Sequence, residues 1–135
     1  MQQAFPAPRP STAPPLAVRA PFAMEGIPFP TAAEAWFWAV QAQVAKNDGA
    51  RVAAGLGLVV RPCEPGDIIR AVDRLHRRRQ LTRDHLHVLV HYGRRMDAPK
   101  PDRWREQRAA SLWREAFAVI APALVEKGIV AAGTE

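Results

Sequence analysis

The chain has 135 residues, 48% hydrophobic and 24% charged, which suits a single modest globular core. Its net charge of +6 is unevenly placed: residues 61–114 hold 14 of the 19 Lys and Arg, only 7 of the 13 Asp and Glu, and all four histidines. A lone cysteine, Cys63, excludes an internal disulfide, and no apolar run approaches the roughly 20 residues that span a bilayer.

Residues 1–30 contain 8 of the 13 prolines. Proline fixes φ and removes a backbone donor, so a disordered or polyproline-like arm is expected there. Its apolar residues, among them Phe5, Phe22 and Phe29, leave open that its end packs on the domain. No charged start precedes an apolar stretch, so no signal peptide is expected and a cytoplasmic location is the default. Helix 1 is predicted over Ala32–Lys46, capped by Thr31 and Glu34 at capping-box spacing. Trp36, Phe37, Val40 and Val44 form its apolar stripe, and Asn47-Asp48-Gly49 stops it.

Residues 50–61 fit a short β-hairpin arm or an irregular loop. Helix 2 is predicted from Pro65, with Ile68, Ile69, Val72, Leu75 and His76 on one face. Arg70, Arg74, Arg77 and Arg78 lie on another, and Arg77-Arg78-Arg79 places cations at the negative end of the helix. Helix 3 is predicted to begin at the N-cap Thr82. Leu81 and Leu86 make a hydrophobic staple, Leu86, Leu89 and Val90 face the core, and Gly93 ends the helix. Helix 4 is predicted after Asp102. Ala109, Leu112, Trp113, Ala116, Phe117 and Ile120 form its stripe, Pro122 kinks or breaks it, and Gly128-Ile129 closes it. The result is an all-α domain over residues 31–130, a compact bundle of about four helices with a tight helix-turn-helix-like pair, followed by a disordered tail over 131–135.

A basic excess confined to one stretch is an electrostatic footprint for nucleic acid, DNA more than RNA. If helix 3 enters a groove, Thr82, Arg83, Asp84 and His87 lie on its leading positions. Arginine can bond guanine in bidentate fashion. Arg70, Arg74, Arg77, Arg78 and Arg79, with Arg94, Arg95, Arg103, Arg105 and Arg108, are then phosphate clamps, which fix register without reading sequence. A second register makes the start of helix 4 the reader through Arg103, Arg105 and Arg108. It ranks lower because the loop from Arg94 to Pro101 is long. The bland alternative is a helical hairpin with solvated arginines. Only three lysines accompany the arginines; the planar guanidinium suits phosphates and base edges, although a general arginine bias would produce the same ratio.

His87 and His91 have the i,i+4 spacing of a metal pair, but no supporting carboxylate pattern accompanies them, so no metal and no cofactor are assigned. Cys63 has no neighbouring base and reads as a small buried hydrophobe. Trp36 and Trp113 belong to core stripes, whereas Trp104, between Arg103 and Arg105, is the tryptophan that can be an exposed contact. No phosphate loop, paired carboxylates or nucleophilic triad is present, so an enzyme is not expected.

The stretch Arg61-Pro62-Cys63-Glu64-Pro65-Gly66-Asp67-Ile68, followed by Leu75, Arg78, His85 and Tyr92-Gly93, resembles a family of small helical proteins of alphaproteobacteria. Glu34-Ala35-Trp36-Phe37-Trp38, Leu112-Trp113-Arg114-Glu115-Ala116 and Lys127-Gly128-Ile129-Val130 extend the resemblance over residues 29–130. No activity or site comes with that family, so the resemblance implies only a recurring helical domain. The sequence therefore leads to a regulatory, nucleic-acid-binding protein that meets double-stranded DNA. The competing expectation is a module that docks an acidic protein partner, such as a transcription-machinery subunit. Neither reading involves a membrane.

Overall fold

A computed structural model describes residues 26–48 and 59–133. They form four helices: α1 (Ala32–Asn47), α2 (Pro65–Arg77), α3 (Arg83–Arg95) and α4 (Gln107–Glu126). A single 3-10 turn, Trp104–Glu106, leads into α4. This is the expected all-α bundle. None of these helices is long and apolar enough to cross a membrane. The ambiguous segment 50–61 falls mostly outside the described residues, as do residues 1–25 of the expected arm and the end of the expected tail.

The middle position belongs to α1, which packs against α2, α3 and α4. That explains why its sequence is apolar over several faces instead of one stripe. Ala35 and Ala39 are fully buried beside Trp36 and Val40. Thr31 caps the helix, its hydroxyl accepting from the Glu34 N–H at 3.2 Å. At the start of α2 the Glu64 N–H donates to Asp67 Oδ2 at 2.8 Å, and Ile68, Ala71, Val72 and Leu75 turn inward.

Several expectations are corrected by the packing. Val90 is 47% exposed, and Val88 is buried in its stead. Contact with both α1 and α4 draws the Val88, Leu89, Tyr92 and Gly93 edge of α3 inward, and Val90 falls outside it. Gly93 does not end α3. The helix continues to Arg95, and Met96 takes the left-handed conformation at φ 57°. Gly93 is instead a site of close approach: a Cβ there would stand 2.8 Å from Trp36 Nε1 and 3.0 Å from Val40 Cγ2.

Pro122 does not break α4, which runs through it to Glu126. The ring leaves the Ala118 carbonyl without its helical donor, but Ala118 and Pro122 are both exposed, so that carbonyl faces solvent. The end of α4 is as expected. Gly128, at φ 80°, donates to the Val125 carbonyl at 3.0 Å, and Ile129 donates to Leu124 at 2.9 Å.

The domain also begins earlier than Thr31. Phe29 is 2% exposed, packs against the Trp38 ring at 5.1 Å and lies under the Arg61 guanidinium at 4.0 Å. Its N–H donates to Ile129 and its carbonyl accepts from Ala131, both at 2.9 Å. This parallel bridge between Phe29 and Val130 ties the two ends of the domain together.

Candidate nucleic-acid interface

The basic stretch folds into α2, α3, the joins around them and the start of α4. Its arginines divide by whether a carboxylate already holds them. Arg70 pairs with Asp67 at 2.6 Å, Arg77 with Asp73 at 2.9 Å, Arg103 with Glu106 at 3.8 Å and Arg108 with Asp84 at 3.3 Å. Arg95 lies over Tyr92, its guanidinium 5.5 Å from the ring, and Arg105 lies over Trp104 at 5.0 Å. Among the described residues, eight exposed arginines have no carboxylate partner: Arg95 and Arg105 on their rings, Arg114, which donates to Ser111 at 3.4 Å, and five, Arg74, Arg78, Arg79, Arg83 and Arg94, which engage neither a carboxylate nor a ring.

Three of these five flank the join between α2 and α3. The join spans residues 78–82 and closes α2 with two hydrogen bonds, Arg79 N–H to His76 and Gln80 N–H to Leu75, each at 2.9 Å. This is the Schellman arrangement, and it puts Arg79 at φ 65° where glycine is the unstrained choice. Leu81, 1% exposed, anchors the join in the core. The two helices pack principally on α1 and α4, and little on each other.

Thr82 is exposed and is already engaged at the end of α3. Its hydroxyl accepts from the His85 N–H at 3.3 Å, and its own N–H donates to His85 Nδ1 at 3.0 Å. His85 thus stands where a capping box ordinarily has Glu or Gln. Its other nitrogen, Nε2, lies 2.9 Å from Glu115 Oε1 on α4. Since Nδ1 accepts, Nε2 carries the hydrogen and donates to that carboxylate. The sequence alone assigned His85 no structural part. The missed signal was its position three residues after an N-cap threonine.

The outward face of α3 carries Arg83, His87, Val90, His91 and Arg94, all exposed. Asp84, the single acidic side chain of the helix, is engaged by Arg108. This face therefore offers a cation at each end and two imidazoles between. No three His, Cys, Asp or Glu side chains among the described residues are grouped to hold a metal.

Cys63 is half-buried before α2. Burial, reinforced by the nearby Asp67 and Glu64 carboxylates, pushes its thiol up to about 11. It lines a shallow depression of about 270 Å³ with Arg70, Arg74 and Lys127. A larger apolar groove of about 780 Å³ lies between the start of α1, the 99–101 loop and α4, with Trp113, Phe117 and Pro122 in its wall. Trp104, outside both, is 75% exposed. Compared with protein-family models, curated proteins and solved structures, the chain finds no match.

Proposed function

We propose that this chain binds nucleic acid, double-stranded DNA foremost, as a regulatory protein without catalytic activity. The observation that carries the reading is the set of five exposed arginines around the α2–α3 join and along α3 that neither a carboxylate nor an aromatic ring engages. Arg74, Arg78 and Arg79 contact phosphates and position the molecule, while Arg83 and His87 approach base edges from the start of α3. Thr82 takes a structural part, holding the helix end rather than a base.

Arg70 and Arg77 are already neutralised within α2, so they contribute less than the unpaired set. With Arg83 on base edges, the four phosphate contacts of Arg74, Arg78, Arg79 and Arg94 correspond to a log–log salt slope of about −4. The test is fluorescence-anisotropy binding to random duplex DNA across a salt series. An Arg74/Arg78/Arg79→Ala variant should bind more weakly and lose about 2–3 from the slope. The Arg70/Arg77→Ala variant should change it much less. A slope near zero, or equal losses in both variants, overturns the reading. Failure to bind at low salt would transfer these arginines to an acidic protein partner.

A further inference from the structure

We propose that Trp104 is a stacking platform for an unpaired base, so that the protein prefers nucleic acid carrying a single-stranded segment beside a duplex. This rests on the nucleic-acid reading and refines the class of substrate.

The four tryptophans have unlike surroundings. Trp36 is buried and donates its indole N–H to the Leu89 carbonyl. Trp38 packs on Phe29 at 5.1 Å, and Trp113 lies between Phe37 at 5.6 Å and Phe117 at 4.8 Å. Those three hold the bundle together. Trp104 takes no part in the core and is the most exposed large hydrophobic side chain among the described residues. Its indole N–H has no acceptor among them.

The turn that bears Trp104 is nevertheless well fastened. Glu106 N–H donates to the Arg103 carbonyl at 2.8 Å, and the Glu106 carboxylate accepts from the Lys100 N–H at 2.6 Å. The Lys100 ammonium in turn donates to Asp97 at 2.6 Å. The ring is thus presented from an anchored corner, which lowers the ordering cost of using it.

Its neighbours select the ligand. The Arg105 guanidinium covers one side of the ring at 5.0 Å, with no carboxylate of its own, whereas the nearby Arg103 and Arg108 are already paired with Glu106 and Asp84. An aromatic ring beside a free guanidinium matches a base joined to a phosphate. Such stacking tolerates any sequence, because every base has a π-face. Paired bases inside a duplex do not offer that face, so the ligand must have an unstacked end or single strand. The Arg108–Asp84 pair links this corner to the start of α3, where Arg83 and His87 lie.

The test uses the full chain and two labelled DNAs, a blunt duplex and the same duplex with a short oligo-dT overhang. Wild type should bind the overhang DNA roughly tenfold more tightly, and Trp104→Ala should abolish that preference while leaving blunt-duplex binding unchanged. Trp104→Phe should keep part of the preference. Tryptophan fluorescence should be quenched on binding oligo-dT in the wild type and not in Trp104→Phe. Equal affinity for both DNAs, unquenched Trp104, or a uniform loss on both DNAs in Trp104→Ala overturns the platform while the phosphate-clamp reading stands. No binding to either DNA overturns both.

Discussion

The indole Nε1 of Trp36 donates to the backbone carbonyl of Leu89 at 2.8 Å, joining the central helix to the interior of α3. A helical carbonyl already has one donor four residues on, so the indole uses its second lone pair. Reaching it requires an α3 surface without a side chain at the crossing, and Gly93 supplies that. The helix that presents Arg83, His87 and Arg94 is therefore set in place by a glycine and a tryptophan on its hidden side.

Gly93→Ala decides between two opposed effects. Alanine favours helix over glycine by about 1 kcal/mol. Its Cβ, however, would stand 2.8 Å from an indole that is hydrogen-bonded in place and 3.0 Å from Val40, and overpacking of this kind costs about 1–3 kcal/mol. The substitution should lower the stability measured by urea unfolding by roughly 1 kcal/mol net. A more stable variant would show that the two helices part easily.

His85 makes a second fastening, from the N-terminus of α3 to Glu115 of α4. Its side chain is 12% exposed, and it serves two hydrogen-bond partners at once. His85→Ala removes both and should cost about 1–2 kcal/mol. His85→Gln, which can restore the capping box but does not extend to Glu115, should recover about half of that loss. If Gln and Ala prove equally destabilising in urea melts, the contact with Glu115 carries the whole effect and the cap none.

Cys63 yields a prediction in pH. A thiol pushed up to about 11 from 9.0 is neutral throughout the physiological range, so alkylation by iodoacetamide should be slow in the folded protein at pH 7–8. The rate should rise between pH 9 and 11 and become fast at neutral pH once urea unfolds the chain. The sign for stability follows from the raised value. The folded state holds the proton more tightly, so this group's contribution is complete below pH 9 and is lost as pH climbs toward 11. Rapid labelling of the folded protein at pH 7 would contradict the burial.

How much could be read beforehand depended on whether the signal was local. Thr31, Pro65, Thr82 and Gly128 act within a few residues of themselves, so the helix ends they define were legible. The all-α class followed from the same periodicities. Gly93 was misread because its reason lies in Trp36, distant in sequence, and a glycine near a helix end ordinarily signals termination. The break expected at Pro122 does not occur, because its cost depends on whether Ala118 faces solvent, which periodicity does not reveal. The charged stretch itself was plain, but its division into paired and unpaired arginines was not. Arg70 and Arg77 have carboxylates three and four residues before them, a visible pattern, whereas Arg108 finds Asp84 only through the fold.

Arg79 brings the fold and the proposed interface into direct opposition. It ends α2 at φ 65°, a conformation that costs a non-glycine residue about 1–2 kcal/mol. Glycine would relieve that strain but would lose more freedom on folding, about 0.5–1 kcal/mol, so Arg79→Gly should raise stability by roughly 0.5 kcal/mol. The side chain forms no ion pair among the described residues, and its removal breaks none of the bonds at the join, which use backbone atoms. The same variant should weaken duplex DNA binding and reduce the salt slope by about 1, because one phosphate contact is gone. A gain in stability together with a loss in binding would mean that the arginine is held there for its charge, against the preference of the backbone. A gain in stability with binding unchanged would remove Arg79 from the interface and leave Arg74, Arg78, Arg83 and Arg94 to carry it.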